Sequence, residues 1–468
     1  MLVPKVSNTS DTYSVSIAYS DAAGSDPCTT GGSSPGPAVT PTSAVLTSTG
    51  TTAGGTPRVK TVVMQETMVI DATSTLLGAF TYAMFSQKTF TLQNGLTVNQ
   101  SPAGAPGNVY GGTLNDCQNS SLVDGSVQVE STLTATLTIG NKCEITGDLY
   151  VNGSVILNNT AQVDGSIHAY GGDVTLNNST SVGKDIYASA IATVGGTINI
   201  DTKLLNPIVG GSLYAATAVT ATIGGVVQDV ITQLPLSGVA GVGGTYAVNF
   251  KVASSSMPAA PCAYSGTQTS CQTFPQLNPT AITLAASVGD AAGNLYNVVT
   301  ITGSVQPDCT NAFVTAAETT TYTTPTAIYA PNCVVSIGGT NTFNLPNNEI
   351  WVVAGFSENG GLTVQSGVTG KTIDLSVVVP IGSACPAGDI NLKGNAFTDS
   401  VKVALYTPCN VNLTGDQFID GQILAGGNVT TTGNFTLNFD QSASTYLPGT
   451  QGAPVLALLV TGKTVTNG

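Results

Sequence analysis

One five-residue phrase keeps returning in this chain and limits what it can fold into. It runs apolar, two small or polar residues usually including a glycine, one more polar residue, then apolar. It stands as Ile145-Thr-Gly-Asp-Leu149, Val151-Asn-Gly-Ser-Val155, Val163-Asp-Gly-Ser-Ile167 and Val182-Gly-Lys-Asp-Ile186, and again at Val123–Val127, Val194–Ile198, Val209–Leu213, Ile301–Val305 and Ile419–Ile423. The starts at 145, 151, 163, 182 and 194 are separated by 6, 12, 19 and 12 residues, close to multiples of six. Short strands with a turn at each corner, stacked coil on coil, bury such a pattern economically. The expected fold is all-β: β-solenoid (β-helix) blocks, with one short helix over 74–85 where Ser74 can act as N-cap.

Composition supports strands over disorder. Only 8% of the residues are charged while 41% are hydrophobic, and glycine supplies 54 of 468. Disordered chains combine low hydrophobicity with high charge. The net charge is −14, from 12 Lys+Arg against 26 Asp+Glu, and the bases are scattered singly. A phosphate-binding surface needs clustered bases, so nucleic acid is not an expected partner. No apolar run reaches the roughly 18–20 residues of a membrane helix, so no direct membrane span is expected. The N-terminus lacks the basic start and apolar run of a signal peptide, which implies a removed leader or partner-dependent secretion.

Nine cysteines occur without a CxxC pair, and there is a single histidine. Taken as neighbours, Cys117–Cys143, Cys309–Cys333 and Cys385–Cys409 are separated by 26, 24 and 24 residues, and Cys262–Cys271 by 9. About one coil of separation is what a bridge between stacked coils gives. Zinc, the rival reading, usually takes closely paired ligands with histidine. Disulfides imply an oxidising, extracellular setting, though spacing alone leaves the connectivity open. Cys28 is the candidate left unpaired, free or bonded to another chain.

The chain divides by texture. Residues 1–55 form an N-terminal strand and a Gly/Ser/Pro-rich arm, and 56–116 a strand–helix–strand lead-in. Residues 117–236 are a first solenoid block, 237–300 an insertion or junction, 301–440 a second β-rich block, and 441–468 a tail. The tail's Val455–Val460 run is an apolar strand that needs a pairing partner.

A strand like Arg58-Val-Lys-Thr-Val-Val63, the segment Phe80-Thr-Tyr-Ala-Met-Phe-Ser86 and phrases such as Gly147-Asp-Leu-Tyr-Val-Asn-Gly153 resemble the ectodomains of bacterial PilX-type, type IV pilin-like pilus assembly proteins. The resemblance covers about 45–230 with an echo at 400–440. It implies an extracellular filament subunit with β-solenoid repeats. The family's N-terminal apolar helix is missing from this sequence. That implies a split pilin, in which a small helical pilin-like core subunit supplies the filament core and copies of this chain form the sheath.

Few residues suggest chemistry. His168 alternates with apolar neighbours and is expected to face outward; without a second histidine or a suitably spaced serine it makes no triad. Asp124, Asp148, Asp164 and Asp185 occupy related turn positions. Asp beside Gly makes good corners by bonding its own backbone, with a Ca²⁺ ladder or a carboxylate pair for polysaccharide cleavage as alternatives. No cofactor is expected and the chain is read as a non-enzyme. Asn-x-Ser/Thr sequons make Asn119, Asn158, Asn177, Asn412 and Asn428 candidates for glycosylation, alongside sequons at Asn8, Asn99, Asn152, Asn178 and Asn434. The expected function is the outer layer of a type IV pilus-like fibre at the cell surface. The alternatives are a low-copy adhesin that binds carbohydrate and a polysaccharide-active enzyme.

Overall fold

The structure, a computed structural model, describes residues 81–229 with short breaks, Phe274 and 296–442; for 12–20, 43–51, 62–73, 248–250 and 455–467 it gives the strands. These residues form two compact units, 76–450 and the two chain ends, 1–75 with 451–468.

The larger unit is a parallel β-solenoid of about 12 turns. Its logic is the repeated phrase. Val123, Ile145, Val163, Val182 and Val209 stack in register, as do Val127, Leu149, Ile167, Ile186 and Leu213, and all are at most 3% exposed. The phrases at 151 and 194 belong to a second corner, since Val155, Val174 and Ile198 stack in a separate six-stranded sheet. Two corners per coil explain the irregular spacing in the sequence. The glycine between them is required by close approach: a Cβ on Gly147 would lie 2.6 Å from the backbone of Gly125, and one on Gly165 2.4 Å from the carbonyl of Gly147. The phrase at 301–305 is no rung. Val305 is 70% exposed because the chain there turns into a helix.

The order of the stack is not the order of the chain. Along one broad face, the strands Asn297–Thr300, Thr326–Ile337, Glu349–Glu358, Ile373–Val378, Val401–Thr407 and Gln417–Ala425 follow one another in parallel. The next rung is Met84–Thr91, joined through Ile423↔Met84 and Leu424↔Phe85. The face then runs on through Val109–Asn115 to Val248–Phe250. The late half of the sequence therefore precedes the early half in space. Ser86 Oγ donates to Gly427 O (2.9 Å), Gln422 Nε2 to Tyr82 O (2.8 Å) and Asn99 Nδ2 to Asn438 Oδ1 (2.7 Å) across the seam. The blocks expected at 117–236 and 301–440 are thus parts of one stack, and 84–115 of the expected lead-in are rungs of it.

Within the segment expected as a helix over 74–85, Met84 and Phe85 begin a strand, and 74–80 lie outside the described residues. The helix among the described residues is α1, Asp308–Ala317. Cys309, Phe313, Ala316 and Ala317 recur at helical spacing and are buried, so one face of α1 closes the end of the core above Trp351. Phe313 meets Trp351 edge-on at 5.3 Å.

The chain ends form an antiparallel sheet in the order Thr12–Ser20, Ser43–Thr51, Val62–Thr73, Val455–Asn467. The apolar run at 455–460 is paired within the chain, from Val455↔Thr73 to Val460↔Met68.

Three expected bridges are formed: Cys117–Cys143, Cys309–Cys333 and Cys385–Cys409, with Cα separations of 5.7, 5.8 and 5.5 Å. The first and third join successive coils. The second staples α1 to the strand Thr326–Ile337, which the spacing alone did not distinguish. Cys28, Cys262 and Cys271 lie outside the described residues.

Candidate functional site

The early half of the solenoid has two ordered outer features, an aromatic ladder on its broad face and a groove along one corner.

The ladder follows from the residue after each apolar corner position. Tyr150, His168, Tyr187 and Tyr214 are register partners on successive coils. Their rings stack at 4.7, 4.9 and 4.6 Å with interplanar angles of 11°, 7° and 5°. His168 points away from the core as expected, but it is not a surface residue. The rings above and below leave it 4% exposed. Burial lowers its pKa, opposed by the charges of Asp148 and Asp185, so its ring is held toward the neutral form. Tyr150 donates to Asp148 Oδ2 (3.0 Å) and Tyr187 to Asp185 Oδ2 (3.1 Å). Burial, with those carboxylates beside them, pushes both phenols up to about 12. The ring faces are turned toward one another along the stack, so a ligand arriving from solvent meets ring edges and bonded hydroxyls.

The four aspartates lie in two columns. Asp124 and Asp164 alternate with Thr146, which donates to Asp124 Oδ1 at 2.9 Å. Asp148 and Asp185 alternate with Ser126 and Ser166. There each oxygen accepts the backbone N–H one coil on: Ser126 Oγ from Asp148 (3.0 Å), Asp148 Oδ1 from Ser166 (2.7 Å) and Ser166 Oγ from Asp185 (3.3 Å). The corners are held by bonds between coils rather than by each Asp bonding its own backbone. Alternation keeps like charges two coils apart, about 9.6 Å; adjacent aspartates would repel. No group of three or more His, Cys, Asp or Glu among the described residues is placed to hold a metal ion.

The corner groove has a volume of about 610 Å³ and is lined by four stacked pairs: Asn119–Ser120, Asn141–Lys142, Asn159–Thr160 and Asn178–Ser179. All eight have positive φ, between 34° and 63°, and they are the only non-glycine residues with positive φ among the described residues. That conformation costs about 1 kcal/mol for an ordinary side chain and is eased for asparagine. The second-position N–H groups are used between coils: Ser120 donates to Asn141 O (2.8 Å), Lys142 to Asn159 O (3.1 Å) and Thr160 to Asn178 O (3.2 Å). What faces solvent is amide, hydroxyl and one ammonium.

The glycosylation candidates divide by the same ladders. Asn119 is exposed at the groove. Asn177 Nδ2 donates to Asn158 Oδ1 (2.7 Å), Asn412 Nδ2 to Asn391 Oδ1 (2.8 Å), and Asn428 Oδ1 accepts from Thr89 N (3.1 Å). The groove and the ring ladder were both missed in the sequence, although the Asn-x pairs ahead of 121, 143, 161 and 180 were visible in it.

No family model matches the sequence, and no curated protein does. Among solved structures the chain is similar to one described as a possible adhesin C-terminal domain from Caldicellulosiruptor kronotskyensis. The identity is 11%, over 82% of this chain and 99% of that one, with a TM-score of 0.32. It is also similar to the competence-associated pilin ComZ from Thermus thermophilus, at 10% identity over 91% of this chain and 82% of that one, with a TM-score of 0.26. At those values neither defines a family for this chain.

Proposed function

We propose that this chain is a structural subunit of the outer layer of an extracellular, type IV pilus-like filament, assembling with further copies and with a small helical core subunit. The observation that carries the reading is a parallel stack whose coils are joined covalently at Cys117–Cys143 and Cys385–Cys409 and clad in Asn, Ser and Asp ladders. Disulfides suit an oxidising compartment. No helix among the described residues is long and apolar enough to cross a membrane; the reading assigns the filament core to the partner. The role is assembly rather than turnover, with carboxylates that hold corners.

The test is electron microscopy of filaments sheared from the producing cells, with non-reducing mass spectrometry of their components. The expected result is this chain in bulk beside a small apolar polypeptide. Filaments that lack it would overturn the reading. A sparse adhesin with the same fold is the second reading, favoured by the corner groove.

A further inference from the structure

We propose that the corner groove over Asn119–Ser179 is a binding track for an extended, hydroxyl-rich polysaccharide strand lying along the stack. The inference rests on the reading of this surface as exposed to the medium, and not on filament assembly.

The groove is shallow and open to solvent, as a track for a long chain must be, and offers about 610 Å³. Four coils place its side chains at intervals of about 4.8 Å over some 14 Å, a period and length that suit about three sugar rings in an extended chain. Its chemistry is that of sugar recognition. Amides offer donors and acceptors together, and hydroxyls do the same. Asn159 gives one amide hydrogen to Asn141 Oδ1 (3.3 Å) and retains a second. In a chain of net charge −14 the eight lining residues include no carboxylate, and Lys142 supplies one positive charge. A uronic-acid unit therefore has a counter-charge there.

The choice of residues is the second line of support. The stack uses glycine freely at its other corners. Here it holds eight side-chain-bearing residues in the left-handed region, where glycine rests without strain. Thr160, β-branched at φ 62°, is the most costly of them. Most of the bonds between these coils run through backbone N–H and C=O groups, with Asn159 to Asn141 the side-chain addition; the Thr160 hydroxyl donates to the carbonyl of Asn159. Two other outer features offer less to a sugar chain. The ladder rings occupy one another's faces, and Lys402 is paired with Asp420 (2.9 Å) and Asp440 (3.2 Å).

Purified, oxidised full-length chain is run in native affinity gels containing polygalacturonate, xylan or hydroxyethyl cellulose. Retardation is expected, strongest and most salt-sensitive with polygalacturonate. Two variants follow, Asn141→Gly/Asn159→Gly and Lys142→Gly/Thr160→Gly. Glycine accepts the native backbone at each position, so both should keep or raise the melting temperature while binding falls about 10-fold or more. The Lys142 variant should also lose the salt dependence. Absence of retardation by all three polysaccharides overturns the proposal, and so does wild-type binding by both variants. Because the isolated chain is used, a filament that lacks this protein would leave the result standing.

Discussion

Two stretches of the solenoid, the thin coils over 144–188 and the wide coils over 326–378, solve the same packing problem with different cross-sections. In the first, Glu144–Ile145 and Gln162–Val163 are strands of two residues, and the register partners at 145, 163 and 182 lie 18 and 19 residues apart. Valine, isoleucine, leucine and the Cys117–Cys143 bridge fill this thin core. In the second, Thr326–Ile337 and Glu349–Glu358 run for 12 and 10 residues, the register partners at 327, 350 and 376 lie 23 and 26 residues apart, and the wider coil is filled by Trp351, Phe313, Phe343 and Phe356. A longer perimeter leaves a volume that aliphatic side chains cannot fill at interior density, so aromatics take it. The thin coils stack Tyr150, His168 and Tyr187 outside as a ladder; the wide coils hold Trp351, Phe343 and Phe356 inside.

The sharpest way to break that contrast is to empty the wide core. Trp351→Ala should cost about 3–5 kcal/mol in urea unfolding, against about 1–2 kcal/mol for the smaller truncation Val163→Ala in the thin core. Equal losses would mean that both cores collapse around a void alike. Next in size are the bridges. Each closes a loop of about 25 residues, so Cys117→Ala/Cys143→Ala and Cys385→Ala/Cys409→Ala should each lose about 3 kcal/mol of thermal stability. A large inequality would show that one half retains more order when unfolded.

The wide core also buries an acid. Glu349 is 2% exposed, with Oε2 accepting from Trp351 Nε1 (2.7 Å), and burial raises its pKa from the ordinary 4.5 to about 8. A carboxyl whose folded pKa lies above its unfolded one binds a proton more readily in the native state. Its contribution is therefore complete below pH 4.5 and is lost as pH rises toward 8, at up to about 1.4 kcal/mol per unit. Melting curves from pH 5 to 8 should show the decline. Glu349→Gln should flatten it and recover most of that loss at pH 8. The smallest effect belongs to the thin half. Asn141→Gly should change stability by less than about 1 kcal/mol, because the residue already sits where glycine is at ease. A loss of several kcal/mol would show that the amide ladder holds the coils together.

The parts of the fold that were legible are those written locally. Val163-Asp-Gly-Ser-Ile167 carries two buried residues and the glycine that the neighbouring coil demands, so strand, corner and stacking are all in five letters. The separations of 26 for Cys117–Cys143 and 24 for Cys385–Cys409, each a little over one coil, signal a link between successive coils in the same way. The placement of the late half ahead of the early one was not legible. It depends on Ile423 meeting Met84, a pairing between residues far apart in the chain that no local pattern signals. The burial of His168 was hidden for a related reason. Its alternation gives the correct side of the strand, but its cover comes from Tyr150 and Tyr187 on other coils. The helix α1 was missed because Asp308–Ala317 is short and its apolar face includes two alanines and a cysteine.

The inverted order of the halves also sets a clock. A ribosome making this chain completes the rung Met84–Thr91 long before Gln417–Ala425, the strand that covers it, exists. At about 5–20 residues per second the delay is on the order of 20–60 s. Throughout it the edge bearing Met84, Phe85 and Phe90 is a ready template for any strand nearby. A cell that makes this protein must either hold the young chain unfolded until its last third arrives or shield that edge with something else.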